Sequence, residues 1–119
     1  MNYTLLIYEN SAGFALRSDK DKAAAYGAGF FAYSKALRDA GVFVAGAGLQ
    51  VPGTATTLRI GDDKRKVQDG PYAETKEQLG GYYVIDVANL DTALEWAARA
   101  PCASTGGVEV RPVFSAPAM

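Results

Sequence analysis

The chain has 119 residues, 49% of them hydrophobic and 21% charged, with a formal net charge of −1. That length supports one domain with a hydrophobic core and is too short for two comfortable ones, and the composition is ordinary for a globular protein. A balance this close to neutral excludes any general electrostatic attraction to nucleic acid or to acidic membrane surfaces.

Cys102 is the only cysteine, and there is no histidine. No intrachain disulfide can form, so a reducing, cytoplasmic location is expected. Cys102 follows Pro101 near a helix end, with no base to draw off its proton, and reads as a small filler residue rather than a nucleophile. Without histidine the commonest general base and metal ligand are missing, and no other residues assemble a transition-metal set. Neither a metal nor an organic cofactor is expected. The basic run Lys64-Arg65-Lys66 follows Asp62-Asp63 and reads as a solvated hairpin end.

Met1-Asn2-Tyr3-Thr4 opens a strand, not a basic segment leading into an apolar run, and no apolar stretch approaches the roughly 18 residues of a membrane span. Without a secretion signal, the match of Asn2-Tyr3-Thr4 to the glycosylation sequon is taken as chance. Tyr3 to Tyr8 is β-branched and aromatic, with Tyr3, Leu5 and Ile7 on one face and Leu6 and Tyr8 on the other, a strand apolar on both sides. Glu9 to Arg17 reads as a loop or irregular turn. Ser18 or Asp19 offers an N-cap, and Tyr26, Phe30, Tyr33 and Leu37 form a helical stripe that should end near Asp39, with Gly41 just past the end.

Gly27-Ala28-Gly29-Phe30-Phe31-Ala32 fits a dinucleotide-binding pattern only as bare spacing. It lies inside the helix stripe rather than at a strand-to-helix turn, so close packing is the expected reason for the two glycines. Val42 to Ala45 is the next strand, broken by Gly46-Ala47-Gly48. Thr54 to Ile60 and Arg65 to Gln68 form a hairpin around Gly61-Asp62-Asp63.

Asp69-Gly70-Pro71 is turn chemistry, in which Gly70 can take positive φ and Pro71 fixes its own. The acidic loop then runs into a strand from Gly81 to Val87. Asn89 caps a helix from Leu90 to Ala100, with Ala93, Leu94 and Ala97 inward, and Val108 to Phe114 is the last strand. Two strand–helix–strand units flanking a hairpin give an α+β, ferredoxin-like βαββαβ antiparallel sheet with one additional hairpin and both helices on one face. A single domain over residues 1–119 is expected. The other sheet face stays apolar, so we expect a homodimer packed sheet to sheet, with a cavity between the sheets.

The stretch from Asp69 to Tyr83 closely resembles the signature of the DGPF-domain proteins of the YCII-related superfamily, with Tyr72 where the family name has phenylalanine. Gly48-Leu49-Gln50, Ala93-Leu94-Glu95-Trp96-Ala97 and Val108-Glu109-Val110-Arg111-Pro112 extend the resemblance over nearly the whole chain. It implies a dimeric α+β barrel and little chemistry, since most members are uncharacterised and many are encoded near extracytoplasmic-function sigma factors. Fold relatives include cofactor-independent isomerases, lyases and oxygenases. Relatives are proposed to use a His–Asp pair with the histidine on the first helix. That position falls at Phe30 here, with Asp39 matching an acidic position, so such a pair cannot operate.

Two functions follow. In the first, the protein is a small-molecule lyase or isomerase acting in the dimer cavity. Asp69 or Glu74 is the base, Lys76 or Arg111 holds an anionic group, and Tyr8 and Tyr83 donate hydrogen bonds. Tyr82 shares a face with Asp86 and is placed toward the cavity, with Tyr83 as the alternative. In the second, the chain is a non-catalytic dimer that binds a metabolite or a regulatory protein such as a sigma factor. Its local ion pairs and turn caps then account for the same residues.

Overall fold

The computed structural model describes residues 1–73 and 75–115. Its first strand, β1, runs Asn2–Asn10, longer than the apolar run alone predicts, because the inward alternation of Tyr3, Leu5 and Ile7 continues to Glu9. The Asn10 side chain accepts a bond from the Gly13 amide at 2.8 Å, capping a short helix, α1, at Ser11–Ala15, where sequence suggests only a loop. One 3₁₀ turn, Leu16–Ser18, follows.

The main helix, α2, spans Ala23–Asp39 and starts later than its sequence signals suggest. Asp19 instead accepts bonds from the amides of Asp21 and Lys22 at 2.8 and 3.0 Å, closing the turn before the helix. Tyr33 and Leu37 of the stripe are buried, and Gly41 takes φ +73° after the last turn, as the glycine stop implies.

Strand β2 is Phe43–Gly48, so it passes through the glycines expected to break it. Of those glycines, Gly46 lets it lie close against its neighbour. The hairpin strands β3, Thr56–Gly61, and β4, Lys64–Asp69, turn through Asp62 and Asp63, both at positive φ. Gly70 takes φ +106° at the start of the signature loop. Strand β5 begins at Glu77, earlier than predicted, and runs to Asp86. Helix α3 is Leu90–Ala98, capped by Asn89, whose side chain accepts from the Thr92 amide at 2.9 Å. Ala93 and Ala97 face inward, but Leu94 is exposed, and Trp96 packs against the core instead. The last strand, β6, is Gly107–Pro112.

The main sheet has the order β2-β5-β1-β6 with every pairing antiparallel, while β3 and β4 form their own two-stranded sheet. This is the ferredoxin-like α+β arrangement with the hairpin inserted between β2 and β5. Tyr3, Leu5 and Ile7 of β1 meet Tyr83 and Ile85 of β5 beneath Tyr33 and Leu37 of α2 and Ala93 and Ala97 of α3, so both helices cover one face. Tyr33 donates to the Trp96 carbonyl at 2.6 Å, tying the helices together. Leu6, Tyr8, Tyr82 and Val84 are half-buried on the opposite, uncovered face. Among the described residues no helix is long and apolar enough to cross a membrane.

Candidate functional site

Antiparallel pairing of β1 with β5 slips at one place. Ile7 faces Gly81 but Tyr8 faces Leu79, so Gly80 is an extra, bulged residue. Released from the ladder, the Gly80 carbonyl accepts from the Leu49 amide at 2.9 Å and from Arg17 Nη2 at 3.1 Å. Arg17 also donates to the Leu49 carbonyl, and its guanidinium lies 5.0 Å from the Phe14 ring centre. The residues after β1 are therefore clamped to the ends of β2 and β5.

Inside the clamp sits Glu9, only 3% exposed. Burying a carboxylate is costly unless it is paired and hydrogen-bonded. Glu9 has both kinds of support: Tyr26 donates its phenolic proton to Oε1 at 2.5 Å, and Arg17 Nη2 stands 3.5 Å from Oε2. Glu9 Oε2 and Arg17 Nε still lack hydrogen-bond partners among the described residues. Burial, and then the bond to Glu9, push the Tyr26 phenol up to about 12.

Tyr26, Gly27 and Phe30 begin a wall of α2 that continues through Phe31 and Ser34 to Arg38. Facing it are β2 and β5, and between them lies a cavity of about 380 Å³, within the size range of small-molecule sites. Glycines let its walls pack closely. A Cβ at Gly46 would come within 2.8 Å of the Tyr83 ring, and one at Gly81 within 2.9 Å of the Ala47 carbonyl oxygen. One at Gly80 would come within 3.1 Å of Arg17 and 3.2 Å of Glu9 Oε2. Gly27 has no atom within 4 Å of such a Cβ, so the reason for it is not the close packing expected, while Gly29 makes only ordinary contact with Pro101. Midway along the wall, Ser34 Oγ and Tyr83 Oη are 2.8 Å apart.

The cavity lies within one chain, on the helix-covered side of the sheet, whereas the sequence reading looked for one between the sheets of two copies. Tyr83 is buried on this side. Tyr82 borders the cavity too, with its carbonyl oxygen near Gly46, although its pairing with Leu6 sets it on the uncovered face. Tyr8 and Lys76 come together elsewhere, in an open depression with Glu77 and Glu109. Arg111 is exposed and ion-paired with Glu109. Asp69, at the exposed end of β4, borders neither cavity, and Glu74 lies outside the described residues. Among the described residues, no group of three or more His, Cys, Asp or Glu side chains could hold a metal ion.

Glu9, Arg17 and Tyr26 are absent from the sequence-derived candidates. One signal was there: Glu9 continues the inward alternation of Tyr3, Leu5 and Ile7, and a charge at an inward strand position needs a partner.

Fold and cleft together define a ferredoxin-like α+β domain with a helix-to-sheet cavity built around a buried carboxylate. Residues 1–116 match the YCII-related domain, and the chain belongs to that family. It is also 54% identical over 66 residues to an uncharacterised protein of Rhizobium meliloti (strain 1021), a match spanning 53% of each chain and thus about half of that relative's length.

Proposed function

We propose that the chain binds a small organic molecule in the α2-to-sheet cavity and moves a proton on it without a cofactor, as a lyase or isomerase does. The observation that carries this reading is the short Tyr26–Glu9 hydrogen bond at the cavity wall. Because the phenolic proton points at Glu9, the Tyr26 oxygen keeps a lone pair for a substrate proton. As that proton reaches Tyr26 Oη, the phenol's own proton passes to Glu9 Oε1. The substrate keeps the electron pair, the carboxylate becomes a carboxylic acid, and Tyr26 stays neutral throughout. Arg17 and the Gly80 bulge hold the dyad in place, and Ser34 and Tyr83 supply hydroxyls farther along the wall.

Solvent-deuterium exchange tests this. The protein is incubated in D₂O with a panel of small carbon acids (oxo acids, β-dicarbonyls, unsaturated lactones) and followed by proton NMR. Exchange above the buffer rate on at least one compound is expected, with a loss of at least about tenfold in Glu9→Gln and in Tyr26→Phe. Wild-type exchange at the buffer rate across the panel removes the catalytic reading.

One observation favours a non-catalytic metabolite-binding or regulatory protein. Arg17 donates to the carbonyls of Leu49 and Gly80, as a structural clamp requires. A regulatory partner such as a sigma factor belongs to this reading. The loop carboxylates Asp69 and Glu74, with Lys76, Arg111 and Tyr8, form a separate proposal. Tyr8 and Arg111 share the uncovered face by register, so these groups would act where a second copy's sheet closes over it. Homodimerisation and a cytoplasmic location are parts of the same proposal.

A further inference from the structure

The cavity carries two arginines in different electrostatic states. At one end Arg17 is paired with Glu9 and donates to two backbone carbonyls. At the other end Arg38 is exposed, and its guanidinium has no ion pair or hydrogen bond among the described residues. Its neighbour Asp39 is taken by Lys35 at 2.6 Å, and the Arg38 guanidinium rests 4.4 Å from the Phe43 ring centre. A guanidinium resting over an aromatic ring is partly ordered before it meets an anion, and it presents a planar fork to a carboxylate. Tyr26 and Arg38 are about 18 Å apart along the helix backbone, so the lining is extended in that direction. Its middle is walled by the rings of Phe30, Phe43 and Tyr83.

From this asymmetry we infer that the natural ligand is a planar, unsaturated monocarboxylate whose anionic group pairs with Arg38 and whose far end carries a neutral hydroxyl that donates to Tyr26 Oη. The inference rests on the reading of this cavity as the ligand site. A second charge at the Tyr26 end is disfavoured, since an anion would meet the Glu9 carboxylate and a cation would meet Arg17. A neutral hydroxyl finds one acceptor there. An unsaturated body suits a lining that includes the aromatic side chains of Phe30, Phe43 and Tyr83.

The probes are para-hydroxycinnamate, its methyl ester and cinnamate, titrated calorimetrically into the full-length protein. Wild-type protein is expected to bind the acid about tenfold more tightly than the ester, a preference that fades as salt is raised. Arg38→Gln should abolish the preference, bringing the acid down to the affinity of the ester. Arg38→Lys, which keeps the charge but loses the planar fork, should retain part of it. Tyr26→Phe should bring para-hydroxycinnamate down to the affinity of cinnamate. Equal binding of acid and ester by the wild type, no binding of any probe, or a preference that survives Arg38→Gln overturns the inference. If Arg38→Gln fails to fold by circular dichroism, the wild-type comparison and Arg38→Lys decide. Acid selectivity without deuterium exchange leaves this inference standing and removes the catalytic reading. Glu9-dependent exchange on neutral carbon acids without acid selectivity does the reverse.

Discussion

Tyr26 keeps its proton further into alkaline solution than a free phenol, because burial and the adjacent Glu9 carboxylate both oppose a phenolate. Its value rises from 10.0 to about 12 on folding. Below pH 10 the group is protonated whether the chain is folded or not, and its contribution to stability is complete. Between about 10 and 12 the unfolded chain ionises first, so stability falls as pH rises through the folded value. Cys102 acts with the same sign lower down, since burial pushes its thiol from 9.0 up to about 11, and burial raises Tyr33 as well. Thermal melts from pH 8 to 12 should therefore show a melting temperature that declines above about pH 9. Tyr26→Phe should flatten the upper part of that decline. A decline of the same shape in the variant would show that Tyr26 titrates as a free phenol. At this scale the sequence was only partly legible. Tyr26 is visible as a stripe residue, but its partner Glu9 lies seventeen positions away on another element, and no local pattern joins the two.

At the scale of elements, the glycines carry the lesson. Gly46 and Gly48 look like strand breakers by propensity, yet β2 runs through both, and at Gly46 the neighbouring strand needs the room. Tyr83 fills the space over Gly46 and is held edge-on by Tyr33, with ring centres 5.3 Å apart. It cannot swing aside without disturbing the core. Gly46→Ala should cost about 1–3 kcal/mol by overpacking, and Gly27→Ala should gain up to about 1 kcal/mol from helix propensity, as it meets no neighbour. Urea unfolding of both variants checks the pair, and a Gly46→Ala protein as stable as wild type would mean the ring has room to move. Element types, their order and the positive φ at Gly41 and Gly70 follow from residue chemistry alone. The early start of β5 and the late start of α2 do not, because tertiary pairing and the Asp19 turn set those limits.

The whole molecule is more extended than its length requires. Its Cα radius of gyration is 16.0 Å, against about 13.5 Å for a compact chain of this size. The excess is consistent with a hairpin that reaches away from the main sheet. Leu58 and Val67 face each other on it with Ile60 beside them, and all three are exposed. The uncovered sheet face is apolar too, with Leu6, Tyr8, Tyr82 and Val84. Sedimentation should give a dimer at micromolar concentration, with more than about 1,200 Å² buried in total. Leu6→Glu on the sheet face should dissociate it, whereas Ile60→Asp on the hairpin should not. A wild-type monomer, or a dimer indifferent to Leu6→Glu, rules out pairing through the sheet. The ferredoxin-like plan is legible in the order of strands and helices. The cavity is not, because it lies between α2 and the strands β2 and β5, and no local pattern sets the distance between a helix and a sheet.

The strand order also has a consequence in time. β1 lies in the middle of the sheet, yet its two neighbours, β5 and β6, follow it at long range, pairing Asn2 with Asp86 and Tyr3 with Pro112. During synthesis β1 therefore has no sheet partner until Glu77–Asp86 has emerged. Closing such long loops is slow, and an apolar strand left waiting is a template for wrong pairing. Glu9, the charge at the inward end of β1, also waits for its setting. The Gly80 bulge comes with β5, so Arg17 can clamp the end of β1 only after β5 has paired.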